Sequence, residues 1–565
     1  MQHRAAVILA LAFLGGAIYP IAFAPFEIWP LALVSLVSLF FASEQVFERS
    51  FLLRLLVPFA FAVSMYGVGT SWVHSSFLAV GDISNTISTW VTVLFVFANA
   101  VVFTVIIVTI QELWARRPRF VRTAEKAYTL EWTPSRDLGG YSVLGTALGW
   151  VVFEFQNNLL ESDIAFPWLQ AGYAYIDTWL VGLATIGGVT LVSFFVLVTA
   201  MALFRIRRIR FITMALAVCP WLLGIVLLNL PWTQPVEEKE IALVQSNFSI
   251  TEKTTGSGPA LSLRTNSRLS LEAEGVDVVI WPEGALHIVV NQELIDALYS
   301  LAVRVDASLI TGVLSQTIVR GEEDPFLHNA AVGVSKHGRE YQEYQKKKMA
   351  PFGEQIPFEA VLKPIIQWLN LPINRIGPGI GRQSNMVLEG VTVGMTICYE
   401  IAFPSYVAIR SRDADFLVTI SEDAWFGNSI GPAQHMQIAR MRSVETGRYL
   451  ARATTKGISG IVDPKGKLIA TMPVDEQGVV RGTIRTMEGE TWFVRYVAGV
   501  YAWVWGVIAV LGGGVLSAFG SVLGLMFMRR VFGGDSETDD EEGDLEQEEN
   551  FDEATEGDED PDDDW

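Results

Sequence analysis

Seven apolar runs crowd the first 230 residues, more than a soluble globule could bury. They lie at about 7–24, 27–43, 54–76, 88–112, 141–157, 178–204 and 211–230. Each is near the ~20 residues that cross a bilayer core. An eighth falls at about 499–528. Pro20, Pro25 and Pro30 break the first two, which leaves room for a re-entrant hairpin there. Residues 1–24 read as an uncleaved span rather than a signal peptide, because more spans follow at once and no small-residue cleavage site stands out.

Basic residues set the orientation. Arg116, Arg117, Arg119 and Arg122 follow the fourth run, Arg205, Arg207, Arg208 and Arg210 separate the sixth from the seventh, and Arg529 and Arg530 follow the eighth. Positive loops stay in the cytoplasm. Eight crossings put all three clusters and the amino terminus on one side and residues 231–498 on the other. The expected organisation is a transmembrane bundle of about seven helices over 1–230, an extracytoplasmic domain over 231–498, a last helix over 499–530 and an acidic tail over 531–565.

The net charge of −20 belongs to that tail: 19 of the 61 acidic residues lie between 535 and 564, which leaves 42 against 41 Lys and Arg. A segment so acidic and poor in apolar residues is expected to be disordered. It reads as a solvated cytoplasmic extension, or as a docking segment for a basic partner. No basic domain supports nucleic-acid binding. Two cysteines, Cys219 and Cys398, exclude a disulfide framework. The six histidines (His3, His74, His287, His328, His337, His435) lack zinc-type spacing, so no catalytic metal is expected.

Within 231–498, strands are expected at 241–245, 276–280, 307–313, 329–334, 391–398 and 416–420, with helices at 262–274, 292–304 and 434–446. Strands alternating with helices predict a layered α/β domain.

Three stretches of it carry chemistry. Residues 391–398 alternate apolar and small positions and end on Cys398, just before Ala402-Phe403-Pro404 turns the chain. A thiol there sits where open sheets place their chemistry, near a helix start that favours thiolate. The other reading is a small buried hydrophobe. Trp281-Pro282-Glu283-Gly284 puts a carboxylate just past a strand, as a general base or as an exposed turn acid. Residues 344–354 place Lys346, Lys347 and Lys348 ahead of an apolar turn that returns to Glu354. They read as a solvated loop, or as the source of one ammonium that lowers a thiol pKa and steadies an oxyanion. Acid, ammonium and thiol each lie at or near a strand end, and in an α/β sheet such ends gather on one edge. Together they would make an acyl-transfer site.

With Asp423-Ala424-Trp425-Phe426-Gly427 and Arg440-Met441-Arg442-Ser443-Val444-Glu445, these stretches resemble the nitrilase superfamily and its Glu-Lys-Cys triad. The membrane framing is similar to the acyltransferase branch of that superfamily, over about residues 1–530. The resemblance implies an α-helical transmembrane bundle of about eight spans carrying an αββα sandwich. It implies Glu283 as base, Lys346 as the triad lysine and Cys398 as nucleophile, with Glu354, Tyr399 and Glu400 in supporting or substrate-binding roles, and neither metal nor cofactor. It further implies a phospholipid acyl donor, a thioester on the cysteine and a diacylglyceryl lipoprotein as acceptor. The enzyme would be a monomer in a bacterial inner membrane, its catalytic domain on the periplasmic side. Trp368 and Phe358 are lid candidates, or core residues.

Three positions depart from the superfamily pattern. Glu422 stands where an Asn is usual, His287 replaces a common Pro, and Glu252-Lys253-Thr254-Thr255 occupies a place where relatives carry a Trp. A membrane-tethered amidase with the same triad is the rival reading. A transporter with an accessory domain is a further one, opposed by spans that hold few ionisable residues, Glu154 being the clearest.

Overall fold

The computed structural model describes residues 2–79, 83–122, 128–134, 138–158, 165–206, 210–318, 325–351, 353–355 and 376–500. Met1–Trp503 cluster as one compact unit. The lid candidates Phe358 and Trp368, the last span at 499–528 and the acidic tail lie outside the described residues, apart from the first two positions of that span.

The amino-terminal half is a helical bundle. Five stretches are long and apolar enough to cross a membrane: His3–Ala22, Phe51–Gly69, Asn85–Leu113, Trp179–Arg205 and Phe211–Asn229. Pro30–Val46 is apolar but shorter. Eight crossings are therefore not reached among the described residues. The run expected over 54–76 is interrupted at Thr70, where one helix stops at Gly69 and a short one, Trp72–Ala79, begins. The helix Leu138–Asn157 forms as expected but is less apolar than the five. It uses Gly145 and Gly149 to lie against the helix Asn85–Ala115: a β-carbon at either would stand 2.8 Å from Gln111 Cα or 2.9 Å from Ile107 Cα. Small residues four apart allow such backbone approach, and Gln111 Nε2 donates to Thr146 Oγ1 across it at 2.7 Å. The first arginine cluster lies in an unforeseen ribbon, β1 (Arg116–Arg122) antiparallel to β2 (Tyr128–Pro134).

The second half contains two six-stranded sheets. The first comprises β3 (Thr233–Gln245), β4 (Val278–Ile280), β5 (Ser308–Thr317), β6 (Phe326–Val334), β7 (Tyr341–Gln345) and, at its other edge, β14 (Gly478–Gly489). The second comprises β8 (Met386–Leu388), β9 (Val391–Ile397), β10 (Phe416–Ser421), β11 (Leu450–Thr454), β12 (Ser459–Val462) and β13 (Leu468–Met472). In each sheet the central strands run parallel, β3–β4–β5 in one and β9–β10–β11 in the other. Antiparallel strands extend the edges, by hairpins everywhere except where β14 returns from far along the chain to pair with β3.

Burial gives the layering. Ile241, Leu243, Ile280 and Ile310 from one sheet meet Met395, Ile397, Val418 and Ile420 from the other in a single apolar cluster. The outer face of the first sheet packs on the helices Gly258–Leu271 and Gln292–Val305, and that of the second on Pro404–Ser411 and Gly431–Thr446. This is the αββα sandwich the resemblance implied.

Bundle and sandwich share one core. Tyr399, Phe403, Phe426, Ile438, Met441 and Val444 of the sandwich belong to the same buried cluster as Trp72, Phe166 and Trp168 of the bundle. Hydrogen bonds cross the junction: Trp168 Nε1 donates to Gln434 Oε1 at 2.7 Å, Val189 N to Glu445 Oε1 at 2.7 Å and Ala24 N to Gln437 Oε1 at 3.2 Å.

Candidate active site

Parallel strands that end together bring Glu283, Cys398 and Glu422 to one edge, past β4, β9 and β10. Lys346 follows β7, its amide tied to Asn329 O on β6 at 2.8 Å. Glu283, Lys346, Glu354, Cys398, Tyr399 and Glu422 all line one pocket. Its remaining walls are largely apolar, with Trp72, Phe77, Phe95, Phe166 and Trp168 from the bundle and Phe426 from the sandwich.

The turn after β4 holds Glu283 almost out of water, at 5% exposure. Its Oε1 accepts from Lys346 Nζ at 3.0 Å and from Asn329 Nδ2 at 2.6 Å. Its Oε2 accepts from the Glu422 amide at 2.7 Å. These three donors fix the orientation of the carboxylate.

Lys346 is buried between two carboxylates. Nζ donates to Glu354 Oε1 at 2.9 Å as well as to Glu283. Burial alone would lower its pKa. The charges of Glu283 and Glu354, with Cys398 adding to them, outweigh that and hold the ammonium well above the ordinary lysine range. Glu354 is itself fixed by the Ala350 amide at 2.8 Å and by Asn329 Nδ2 at 3.1 Å.

Cys398 opens a 3-10 turn, Cys398–Ala402, with φ at +52. A non-glycine residue in this left-handed region is strained by about 1–2 kcal/mol, and such strain clusters at working sites. The thiol is not activated in the way the sequence suggested. The α-helix Pro404–Ser411 begins six residues on, and only the short 3-10 turn starts at the cysteine itself. Burial pushes the thiol pKa up and Glu283 adds to the rise; Lys346 pulls the other way and is outweighed. The resting group is a neutral thiol beside a carboxylate.

Of the supporting residues, Glu400 does not touch the pocket but joins two of its edges. Oε2 accepts from Ile397 N at 2.8 Å and Tyr344 Oη at 2.7 Å, and Oε1 accepts from the amides of Lys347 at 2.5 Å and Lys348 at 3.2 Å. The lysine loop is thereby pinned to the cysteine turn. Tyr399 lines the pocket and donates its hydroxyl to Ala165 O of the bundle at 3.2 Å.

Several contributors escape a reading of the sequence. Asn329 reads as one more strand residue, yet it bonds both Glu283 and Glu354. The one available signal is an amide beside Ala330-Ala331 in an apolar strand. Behind Cys398, Asp423 Oδ2 accepts from Arg452 Nη2 at 2.7 Å and Asp423 Oδ1 lies 3.2 Å from Nδ1 of the pocket residue His435. Burial would raise the Asp423 pKa, but Arg452 and His435 hold it well below the usual carboxylate range. Burial and Arg452 lower that of His435. Among the described residues, no group of three or more His, Cys, Asp or Glu is placed to hold a metal ion.

Two stacked sheets, with a thiol, an ammonium and a carboxylate at their shared edge, define a carbon-nitrogen hydrolase-type domain carried on a bundle of apolar helices. The family model described as Carbon-nitrogen hydrolase matches residues 241–492. The model described as Apolipoprotein N-acyltransferase N-terminal domain matches residues 15–202. The apolipoprotein N-acyltransferase of Pseudomonas paraeruginosa is 31% identical over 517 residues, covering 89% of this chain and 95% of that protein. That of Vibrio cholerae is 32% identical over 518 residues, covering 89% and 96%. A carbon-nitrogen hydrolase from Helicobacter pylori matches at 15% identity with a TM-score of 0.33, over 44% of this chain and 89% of that one. The chain belongs to the apolipoprotein N-acyltransferase family.

Proposed function

We propose that this acyltransferase moves a fatty acyl chain from a phospholipid, through a thioester on Cys398, to the amino-terminal amine of a lipoprotein's diacylglyceryl cysteine. Glu283 takes the thiol proton as sulfur attacks the ester carbonyl. Lys346 stabilises the oxyanion of the tetrahedral intermediate. The intermediate collapses, the carbon–oxygen bond breaks, and Glu283 returns the proton to the departing lysophospholipid. The lipoprotein amine then attacks the thioester and gives its proton to Glu283. An amide forms, the carbon–sulfur bond breaks, and the thiol is restored. A thiol that rests neutral needs such a base at the moment of attack.

The observation that carries this reading is the make-up of one pocket. Glu283, Lys346 and Cys398 share it with aromatic side chains from the membrane bundle. An acyl chain would lie along Trp72, Phe95, Phe166 and Phe426 with its carbonyl at the sulfur. Glu354 steadies Lys346, Glu400 positions the lysine loop, and Tyr399 forms part of the wall. The enzyme acts as a monomer in a bacterial inner membrane, its sandwich (231–498) on the periplasmic side and its tail in the cytoplasm.

The test begins with purified enzyme and phospholipid alone. Its intact mass should rise by one acyl group, and Cys398→Ser or Cys398→Ala should remove both that adduct and transfer to a diacylated lipopeptide. Acyl transfer by Cys398→Ala, or the absence of a thioester in the unaltered enzyme, overturns the mechanism. Release of free fatty acid in place of acylated lipopeptide would favour a hydrolase.

A further inference from the structure

Glu422, which departs from the superfamily pattern, meets a lysine from the stretch where relatives carry a Trp. Lys253 and Glu422 are 169 positions apart, and their side chains form an ion pair beside the Glu283 turn. Both residues are nearly sealed from solvent, at 4% and 5% exposure. Lys253 Nζ also lies close under the turn, since a β-carbon at Gly284 would stand 3.5 Å from it. Glu422 reaches Glu283 through its backbone, where its amide bonds Glu283 Oε2 at 2.7 Å. Its own Oε1 accepts from Ala424 N at 3.2 Å, so the strand end, the side chain and the turn move together.

An acid at 422 carries a cost that a neutral amide would not. A second buried carboxylate beside Glu283 disfavours ionisation of both, unless a cation compensates. Lys253 supplies that cation. We propose that Lys253 and Glu422 act as one positioning unit, a charge-neutral buttress that keeps the Glu422 amide on Glu283 Oε2 and the base in its place. The proposal rests on the reading of Glu283 as the base.

The surroundings of Glu283 define what a pH profile would report. Lys346 and Glu354 face it from the loop after β7, Cys398 from the end of β9, and Glu422 from the end of β10. Lys253 faces it from the helix Ile250–Thr254, His287 follows on its own loop, and Asp423 and His435 lie beyond Cys398. Of these, Lys253 and Glu422 are ion-paired with each other, and Lys253 also feels the charge of Glu283. Removing one member leaves a buried charge uncompensated, whereas removing both leaves none.

The experiment is a double-mutant cycle in full-length enzyme, reading kcat/KM for acyl transfer against pH. Lys253→Met should move the acid limb up by about one pH unit or more and, by freeing the Glu422 amide, cut kcat/KM on the plateau about tenfold. Glu422→Asn should lower activity with the limb moved the opposite way. The double variant, Lys253→Met with Glu422→Asn, should regain activity to within about threefold of the unaltered enzyme and return the limb to its place. The proposal is overturned if Lys253→Met leaves the profile unaltered. It is equally overturned if the double variant is as impaired as the worse single variant, including through failure to fold. Glu283→Gln separates this outcome from the underlying reading: if that variant still transfers acyl groups, Glu283 is not the base, whatever Lys253 does.

Discussion

Gly312 passes beneath Glu283 with no room for a methyl group. A β-carbon there would stand 2.6 Å from Pro282 O, 2.6 Å from Gly284 N and 2.8 Å from Glu283 Cα. The strand and the turn are also laced by Gly312 N to Pro282 O at 3.2 Å and Leu286 N to Gly312 O at 3.1 Å. Gly312→Ala must therefore lift the turn. Misplacing a reacting group by about 1 Å can cost on the order of 100-fold in rate, and overpacking of this kind destabilises by about 1–3 kcal/mol. The expected result is a folded enzyme with kcat/KM down by about two orders of magnitude. Normal turnover in that variant would show that the turn has slack the packing does not reveal.

Glu400 gives a different signature. Replacing it by Gln puts an amide nitrogen where donors already point, so at least one buried N–H or O–H loses its acceptor, at about 1–3 kcal/mol. The lysine loop shifts while the pocket wall stays, because Glu400 is not part of that wall. Glu400→Gln should lower kcat by about 10- to 100-fold with the phospholipid KM little changed. A rise in KM with kcat preserved would place Glu400 in substrate binding instead.

The neutral thiol can be read out chemically. Burial and Glu283 raise the Cys398 pKa, and thiolate is the species that reacts with iodoacetamide. Alkylation at Cys398 should be slow at pH 7 and climb steadily with pH. With the pKa raised above the ordinary value of 9.0, no plateau should appear below it. Cys219 is exposed and free, so the measurement belongs in a Cys219→Ser background, scored by peptide mass. A plateau near neutral pH would mean that Lys346 has won the electrostatic contest.

Asp423 links the site to acid stability. Its pKa in the fold lies below the ordinary 3.8, because Arg452 and His435 outweigh the effect of burial. The folded state thus binds fewer protons than the unfolded one, and the stabilisation is present above that ordinary value. It is lost as pH falls through the window beneath it. Asp423→Asn should lower the thermal midpoint at pH 7, since breaking a buried pair costs about 3–5 kcal/mol. The variant should also lose less than the unaltered enzyme on going from pH 5 to pH 3. Parallel pH curves for the two proteins would contradict this assignment.

Five of the six parallel strands can be read from the sequence because strands buried on both faces announce themselves as short apolar runs; the sixth, β11 (Leu-Ala-Arg-Ala-Thr), is broken by Arg452 and leaves no such run. The runs at 241–245, 307–313 and 416–420 overlap β3, β5 and β10, whose bounds extend further along the chain. Edge strands leave no such trace. β7 reads Tyr-Gln-Glu-Tyr-Gln and β14 alternates with charges, since one side of each faces water. The positions of Glu283 and Cys398 follow from strand ends, which are local features. The buttress of Lys253 and Glu422 does not, because two charges far apart in the chain carry no sign that they will be brought together out of water. The break at Thr70, by contrast, leaves a local mark. The apolar run ends at Val68 and Gly69-Thr70-Ser71 follows it, and Trp72, which opens the next helix, donates its Nε1 to Gln434 Oε1 at 3.2 Å, a contact from far along the chain.

The buried cluster common to helices and sheets has a bearing on how such a chain comes into being. Release the sandwich from its first 230 residues, and Tyr399, Phe403, Phe426, Met441 and Val444 face solvent together. The cysteine turn would lose the Ala165 carbonyl that anchors its neighbouring tyrosine. No soluble fragment should therefore be recoverable in working form. The order of synthesis matters for the same reason: helices made first provide the greasy floor on which the later half closes, so the cysteine turn matures only once the bundle is in place.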